Sequence, residues 1–155
     1  MEIALYQPDI PQNLGAMMRL CACTNTGLNI IEPCGFPLDT RKIKQSALDY
    51  YDQITLKRYE SWDSFLDFRQ RQTPAPRIIL MTTKASKAYV DVEFRPNDIL
   101  LAGRESAGVP EDVHNLVDER ICIPMETGFR SLNIVNATSM ILGEALRQTK
   151  WQKND

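Results

Sequence analysis

The chain has 155 residues, of which 43% are hydrophobic and 25% charged, and a formal net charge of −2. That balance suits one ordinary domain with its own core and excludes both a disordered chain and a uniformly basic nucleic-acid coat. Cys21, Cys23, Cys34 and Cys122 form no C-x-x-C pair and His114 stands alone, which excludes the usual zinc spacing and points to reduced thiols.

Ile3 to Tyr6 reads as a first strand, closed by Pro8 and Pro11. The segment before Pro8 has no basic region and is not a signal peptide, and no apolar run approaches the ~20 residues that cross a bilayer. A cytoplasmic protein with no membrane partner is expected. Leu14, Met17, Met18 and Cys21 recur at helical spacing and predict an amphipathic helix. Its other face carries Gln12, Ala16 and Arg19, with Gly15 one turn before the arginine, where a phosphate or a partner chain could approach. Leu28 to Ile31 predicts a second strand. Asp39 or Thr40 can cap a short helix that carries the basic run Arg41, Lys42 and Lys44. Ile54 to Leu56 reads as a weak strand, and Ser61 caps a helix whose inner face is Trp62, Phe65 and Leu66.

Ile78 to Met81 and Ile99 to Ala102 are unbroken apolar runs of the buried parallel type. Pro110 suits the first position of a short helix. Arg120 to Ile123 is a last strand, and Asn133 to Gln148 a long last helix. Ile134, Ala137, Ile141 and Ala145, flanked by Val135, Leu142, Leu146 and Met140, make its apolar face wider than one sheet needs. A homodimer contact on that face is the expectation. Strands spaced by helices predict an α/β fold, with a mostly parallel sheet and helices on both faces.

In such sheets ligands gather beyond the carboxyl ends of the strands. Three loops lie there, after Met81, after Ala102 and after Ile123. The loop Gly103-Arg104-Glu105-Ser106-Ala107-Gly108 is not a P-loop, because Val109-Pro110 follows where Lys and Ser or Thr would stand. Ser106 lacks the glycine that G-x-S-x-G places two positions earlier, so a Ser106–His114 hydrolase has no support. No dinucleotide fingerprint occurs. What remains is a glycine-bounded turn with one carboxylate, where backbone can approach a flat ligand.

Three ordered motifs give these loops a family resemblance. Pro11-Gln12-Asn13-Leu14-Gly15-Ala16-Met17-Met18-Arg19 fits P-x-N-x-G-x-x-x-R. Gly103 to Pro110 fits G-x-E-x-x-G-x-P, and Ile123-Pro124-Met125 through Ser131-Leu132-Asn133 to Asn136-Ala137 fits I-P-M…S-L-N-x-x-N-A. The chain resembles the SPOUT class of RNA methyltransferases nearly end to end. Ile31-Glu32-Pro33, Gly35-Phe36 and Leu48-Asp49-Tyr50 look most like the group that methylates the ribose 2′-hydroxyl of the tRNA wobble cytidine or uridine.

The resemblance implies a C-terminal deep trefoil knot and a single methyltransferase domain over residues 1–155, without a separate RNA-binding domain. It implies S-adenosylmethionine as cofactor, with S-adenosylhomocysteine as product, lined by Met81, Gly103, Ile123, Ser131 and Leu132, and no metal. It implies a catalytic set of Arg19, Asn13, Glu105 and Asn136. tRNA is the implied substrate, with Arg19 on a phosphate, and the implied assembly is a homodimer through the first and last helices; the basic run Arg41, Lys42 and Lys44 is expected to add a phosphate-binding stripe, and Arg130 a further substrate contact. Arginine stays protonated, so Arg19 is expected to grip phosphate and steady a developing alkoxide rather than act as a base. Competing readings are a SPOUT enzyme for another tRNA or rRNA site, or a non-catalytic RNA- or nucleotide-binding module of the same fold.

Overall fold

The computed structural model describes residues 1–39, 41, 43 and 48–151. Six strands, β1 (Glu2–Tyr6), β2 (Gly27–Ile31), β3 (Leu56–Tyr59), β4 (Ile78–Met81), β5 (Ile99–Ala102) and β6 (Glu119–Ile121), form one sheet in the order β3-β2-β1-β5-β4-β6. Every pairing is parallel. Helices pack against it: α1 (Pro11–Thr24), α2 (Trp62–Gln70), α3 (Glu111–Leu116) and α4 (Ile134–Thr149).

Alternation along each strand divides the core into two layers. Ile3 and Leu5 of β1, Ile79 of β4 and Leu100 and Ala102 of β5 pack with Leu14, Met17, Met18 and Cys21 of α1 and Ile141, Leu142, Ala145 and Leu146 of α4. Ala4, Tyr6, Ile78, Leu80, Ile99 and Leu101 point the other way, onto Trp62 and Phe65 of α2 and Val113 of α3. The sheet is therefore covered on both faces, which is why β4 and β5 read as unbroken apolar runs. α2 starts as its sequence predicts: Ser61 Oγ accepts from Ser64 N and Ser64 Oγ from Ser61 N, both at 3.1 Å.

Several boundaries differ from expectation. The third strand is Leu56–Tyr59, not Ile54 to Leu56, because Ile54 follows a 3-10 turn (Leu48–Gln53) and packs against the core without pairing in the sheet. The last strand is Glu119–Ile121, and Cys122 continues it only as an isolated bridge to Ala88. Pro110 precedes α3 as its cap, with extended backbone. Gly15 is buried rather than exposed beside Arg19, at the edge of the α1 core stripe. Arg41 and Ile43 are helical, and Asp39 Oδ1 accepts from Arg41 N at 2.8 Å, the bond of a capping residue. Thr40, Lys42 and Lys44 lie outside the described residues.

Polar side chains fix the register where the strands begin. Asn29, 1% exposed on β2, donates to Glu2 Oε2 at 2.7 Å and to the Ile3 carbonyl at 3.3 Å, and accepts from Tyr59 Oη at 3.1 Å. Glu2 also meets Lys57 at 2.9 Å; burial opposes its charge, but the Lys57 and Asn29 hydrogen bonds win and hold its carboxyl below the usual range. On the far side, fully buried Asp98 takes Arg77 Nε at 3.0 Å, Arg77 Nη2 at 2.7 Å and Arg95 N at 2.7 Å. Removing Arg77 would strand that charge, whereas Lys57 and Glu2 stay partly wet. Arg77→Met should lower unfolding free energy by about 3 kcal/mol and Lys57→Met by less than about 1 kcal/mol, read from urea midpoints. Equal losses from the two variants would contradict the difference in burial.

Candidate active site

One cleft of about 500 Å³ opens at the carboxyl ends of β4, β5 and β6, where an open parallel sheet is expected to take its ligand. All five positions the motifs imply for a cofactor line it: Met81, Gly103, Ile123, Ser131 and Leu132. Its volume falls within the ~300–1,000 Å³ usual for small-molecule sites. Ile134, Ala137 and Ile141 of α4 supply apolar wall, and Asn13 and Glu105 stand in the lining as well.

The loop after β5 is shaped by its own closure. Arg104 and Gly108 exchange backbone hydrogen bonds of 2.9 Å in both directions. A Cβ on Gly103 would lie 2.6 Å from the Gly108 carbonyl carbon, and Gly108 sits at φ +67°. These glycines are thus required first by the turn meeting itself.

The turn sends Glu105 back beneath the loop between β1 and α1. Its Oε2 accepts from Asp9 N at 3.0 Å and its Oε1 from Asn13 Nδ2 at 3.2 Å. Asn13 Oδ1 then accepts from Asn133 Nδ2 at 3.1 Å. Asn133 caps α4, its Oδ1 accepting from Val135 N at 2.9 Å and Asn136 N at 3.4 Å. A continuous path of polar contacts joins the three motifs at the rim of the cleft.

Asp9 completes this corner. Ser106 Oγ donates to Asp9 Oδ2, and the Asp9 and Glu105 carboxyls act on each other's charge. Burial, and then the Asp9 carboxyl, push Glu105 above the usual range; the Glu105 carboxyl, and then Ser106, hold Asp9 below it. No sequence pattern singled out Asp9, which sits in a loop without periodicity.

Other expected residues fall elsewhere. Asn136 is exposed on the first turn of α4 and does not line the cleft. Arg19 is exposed on α1, with its guanidinium 5.2 Å above the centre of the Tyr50 ring. Arg41 and Arg130 are exposed. His114, read from sequence as a solitary histidine, enters the cleft from α3. Among the described residues, no three His, Cys, Asp or Glu side chains gather as a metal-ligand set, and no helix is long and apolar enough to cross a membrane.

The sequence profile of the SpoU rRNA Methylase family matches residues 1–143. A tRNA (cytidine(34)-2'-O)-methyltransferase of Beijerinckia indica is 53% identical over 146 residues, which cover 94% of this chain and 90% of that protein. A solved structure described as "Structural insights into the 2-OH methylation of C/U34 on tRNA" matches with a TM-score of 0.87 at 35% identity, covering 95% of this chain and 94% of its own. The SpoU methyltransferase AviRb of Streptomyces viridochromogenes, solved in complex with the cofactor AdoMet, shares the fold with a TM-score of 0.85 at 24% identity, over 96% of this chain and 60% of its own.

The Asp9–Glu105 pair makes a pH prediction. Glu105, raised, stabilises the fold at low pH and loses that contribution as pH climbs through its raised value. Asp9, lowered, stabilises above the ordinary aspartate range and loses its contribution as pH falls through its lowered value. The pair therefore supports the fold best between the two. Glu105→Gln, fixed in the neutral form, should flatten the decline of Tm that sets in as pH climbs through the raised Glu105 value. A variant profile parallel to the wild type would rule out the raised Glu105.

Proposed function

The chain belongs to the SpoU rRNA Methylase family, and from that membership and the cleft we propose that it methylates the ribose 2′-hydroxyl of cytidine or uridine at position 34 of tRNA, using S-adenosylmethionine. The observation that carries this is the cleft at the strand ends that collects Met81, Gly103, Ile123, Ser131 and Leu132. The names of the relative from Beijerinckia indica and of the solved C/U34 structure support the choice of substrate.

The residues present fit the cofactor. Apolar walls from Ile123, Leu132 and Ile134 suit the faces of a purine, and the self-closed Gly103–Gly108 turn offers fixed backbone groups at its edge. Bound there, S-adenosylmethionine supplies a methyl group on a sulfonium. The protein's share is positioning and charge placement. Arg19 grips a phosphate of the substrate and steadies negative charge developing on the ribose oxygen. Asn13 and Glu105 hold the α1 entrance and the Gly103–Gly108 turn in register, and the Asn136 amide joins the Asn133 cap. Exposed Arg41 and Arg130 extend the cationic surface toward tRNA, and the same reading includes Lys42 and Lys44.

The reading carries further parts. Residues 1–155 act as one methyltransferase unit whose C-terminal segment is threaded as a deep trefoil knot, in the cytoplasm. Two copies associate through α1 and α4. Within one chain Ile141, Leu142, Ala145 and Leu146 are already buried, but Met140 is 45% exposed and Val135 half-buried, which leaves apolar surface for a second copy.

Incubation of unmodified tRNA with the protein and methyl-labelled cofactor, followed by nucleoside mass spectrometry, should yield 2′-O-methylcytidine or 2′-O-methyluridine from position 34. Label on a base, or at another nucleotide, would refute the assignment. Arg19→Lys should reduce turnover about a hundredfold while cofactor affinity, by calorimetry, stays within about twofold. A near-native rate in Arg19→Lys would remove Arg19 from that role.

A further inference from the structure

Four buried side-chain nitrogen or oxygen atoms lack a hydrogen-bond partner among the described residues, and two of the four belong to residues lining the strand-end cleft: His114 Nε2 and Arg104 Nε. The backbone of His114 is fully engaged. Its N donates to the Pro110 carbonyl at 2.9 Å and its carbonyl accepts from Arg120 Nη1 at 2.8 Å. The imidazole is thus carried on a fixed stem, and only its ring nitrogen is left unanswered. Leu80 and Val109, which belong to the same side of the sheet, line the cleft as apolar neighbours.

A buried polar nitrogen without a partner destabilises the protein that carries it. In a mostly apolar cleft, a few such groups are what orient a ligand. Arg104 can only donate, and His114 donates as well in the tautomer that carries hydrogen on Nε2, so together they ask the ligand for acceptors. A purine meets that demand, with flat apolar faces for the walls and ring nitrogens in its plane. We propose that His114 is a specificity-determining residue, its Nε2–H donating to a ring nitrogen of the purine of the methyl donor, with Arg104 as a second donor on the same wall. This rests on the methyltransferase reading given above. The positions implied by the motifs do not include His114, and a leucine of similar size would fill its place without reading anything.

The test is calorimetry with S-adenosylhomocysteine and its deaza analogues, each lacking one purine ring nitrogen, on wild type, His114→Leu and His114→Gln. His114→Leu should weaken S-adenosylhomocysteine about tenfold, or 1.4 kcal/mol. Its ligand-free Tm should equal or exceed that of wild type, because an orphaned nitrogen has been removed. His114→Gln, which keeps a donor at similar reach, should recover most of the affinity. One deaza analogue should lose about tenfold against wild type and nothing further against His114→Leu, since both changes delete the same hydrogen bond. Equal affinity of wild type and His114→Leu for every ligand would overturn the proposal. So would a loss in His114→Leu accompanied by a lower Tm and shared equally by all analogues, the mark of a packing role. Failure of wild type to bind S-adenosylhomocysteine at all would overturn the methyltransferase reading itself, and this proposal with it.

Discussion

The hydrogen-bond path from Glu105 through Asn13 to Asn133 is the constraint on which the cleft depends. Its two links join residues 92 and 120 positions apart in the chain. Each end is itself anchored: Glu105 also holds the Asp9 amide, and Asn133 caps α4. Amide side chains in the middle of such a path both donate and accept, so each link polarises the next. Three strand-end loops that would otherwise move independently are tied into one rim. The two-layer core positions the loops roughly; this path sets their final relation.

The two layers divide the labour. α1 and α4 share the layer of Ile3, Leu5 and Leu100, and α4 contributes wall to the cleft. α2 and α3 share the layer of Ala4, Tyr6 and Leu101, and α3 contributes His114. The cleft lies across the strand ends, so it draws residues from both sides of the sheet. Changes in either layer reach it, which no single amphipathic helix would allow.

Much of this was legible in the sequence, for identifiable reasons. The apolar runs at Ile78 to Met81 and Ile99 to Ala102 are strands because both sheet faces are covered. The motifs put Met81, Gly103, Ile123, Ser131 and Leu132 at strand ends, and the structure gathers all five. What escaped depends on tertiary neighbours. Asp9 matters only because the turn after β5 folds back onto it, and no periodicity marks that. His114 looked solitary because its significance is the missing partner of one ring nitrogen. Gly15 was assigned to the exposed side of α1 by helical spacing, yet it sits at the border of the core stripe and is covered. The strand boundary at Leu56 was missed because apolar Ile54 belongs to the core without belonging to the sheet.

The closeness of Arg19 to Tyr50 bears on how an anion would be met there. Its guanidinium carbon is 5.2 Å from the ring centre, within cation–π reach. A long side chain normally surrenders rotamer freedom when it grasps a phosphate, about 0.5–1.5 kcal/mol for each such residue. Here the neighbouring ring narrows that freedom in the free protein. A phosphate contact at Arg19, as proposed above, would start from a posture rather than from a search.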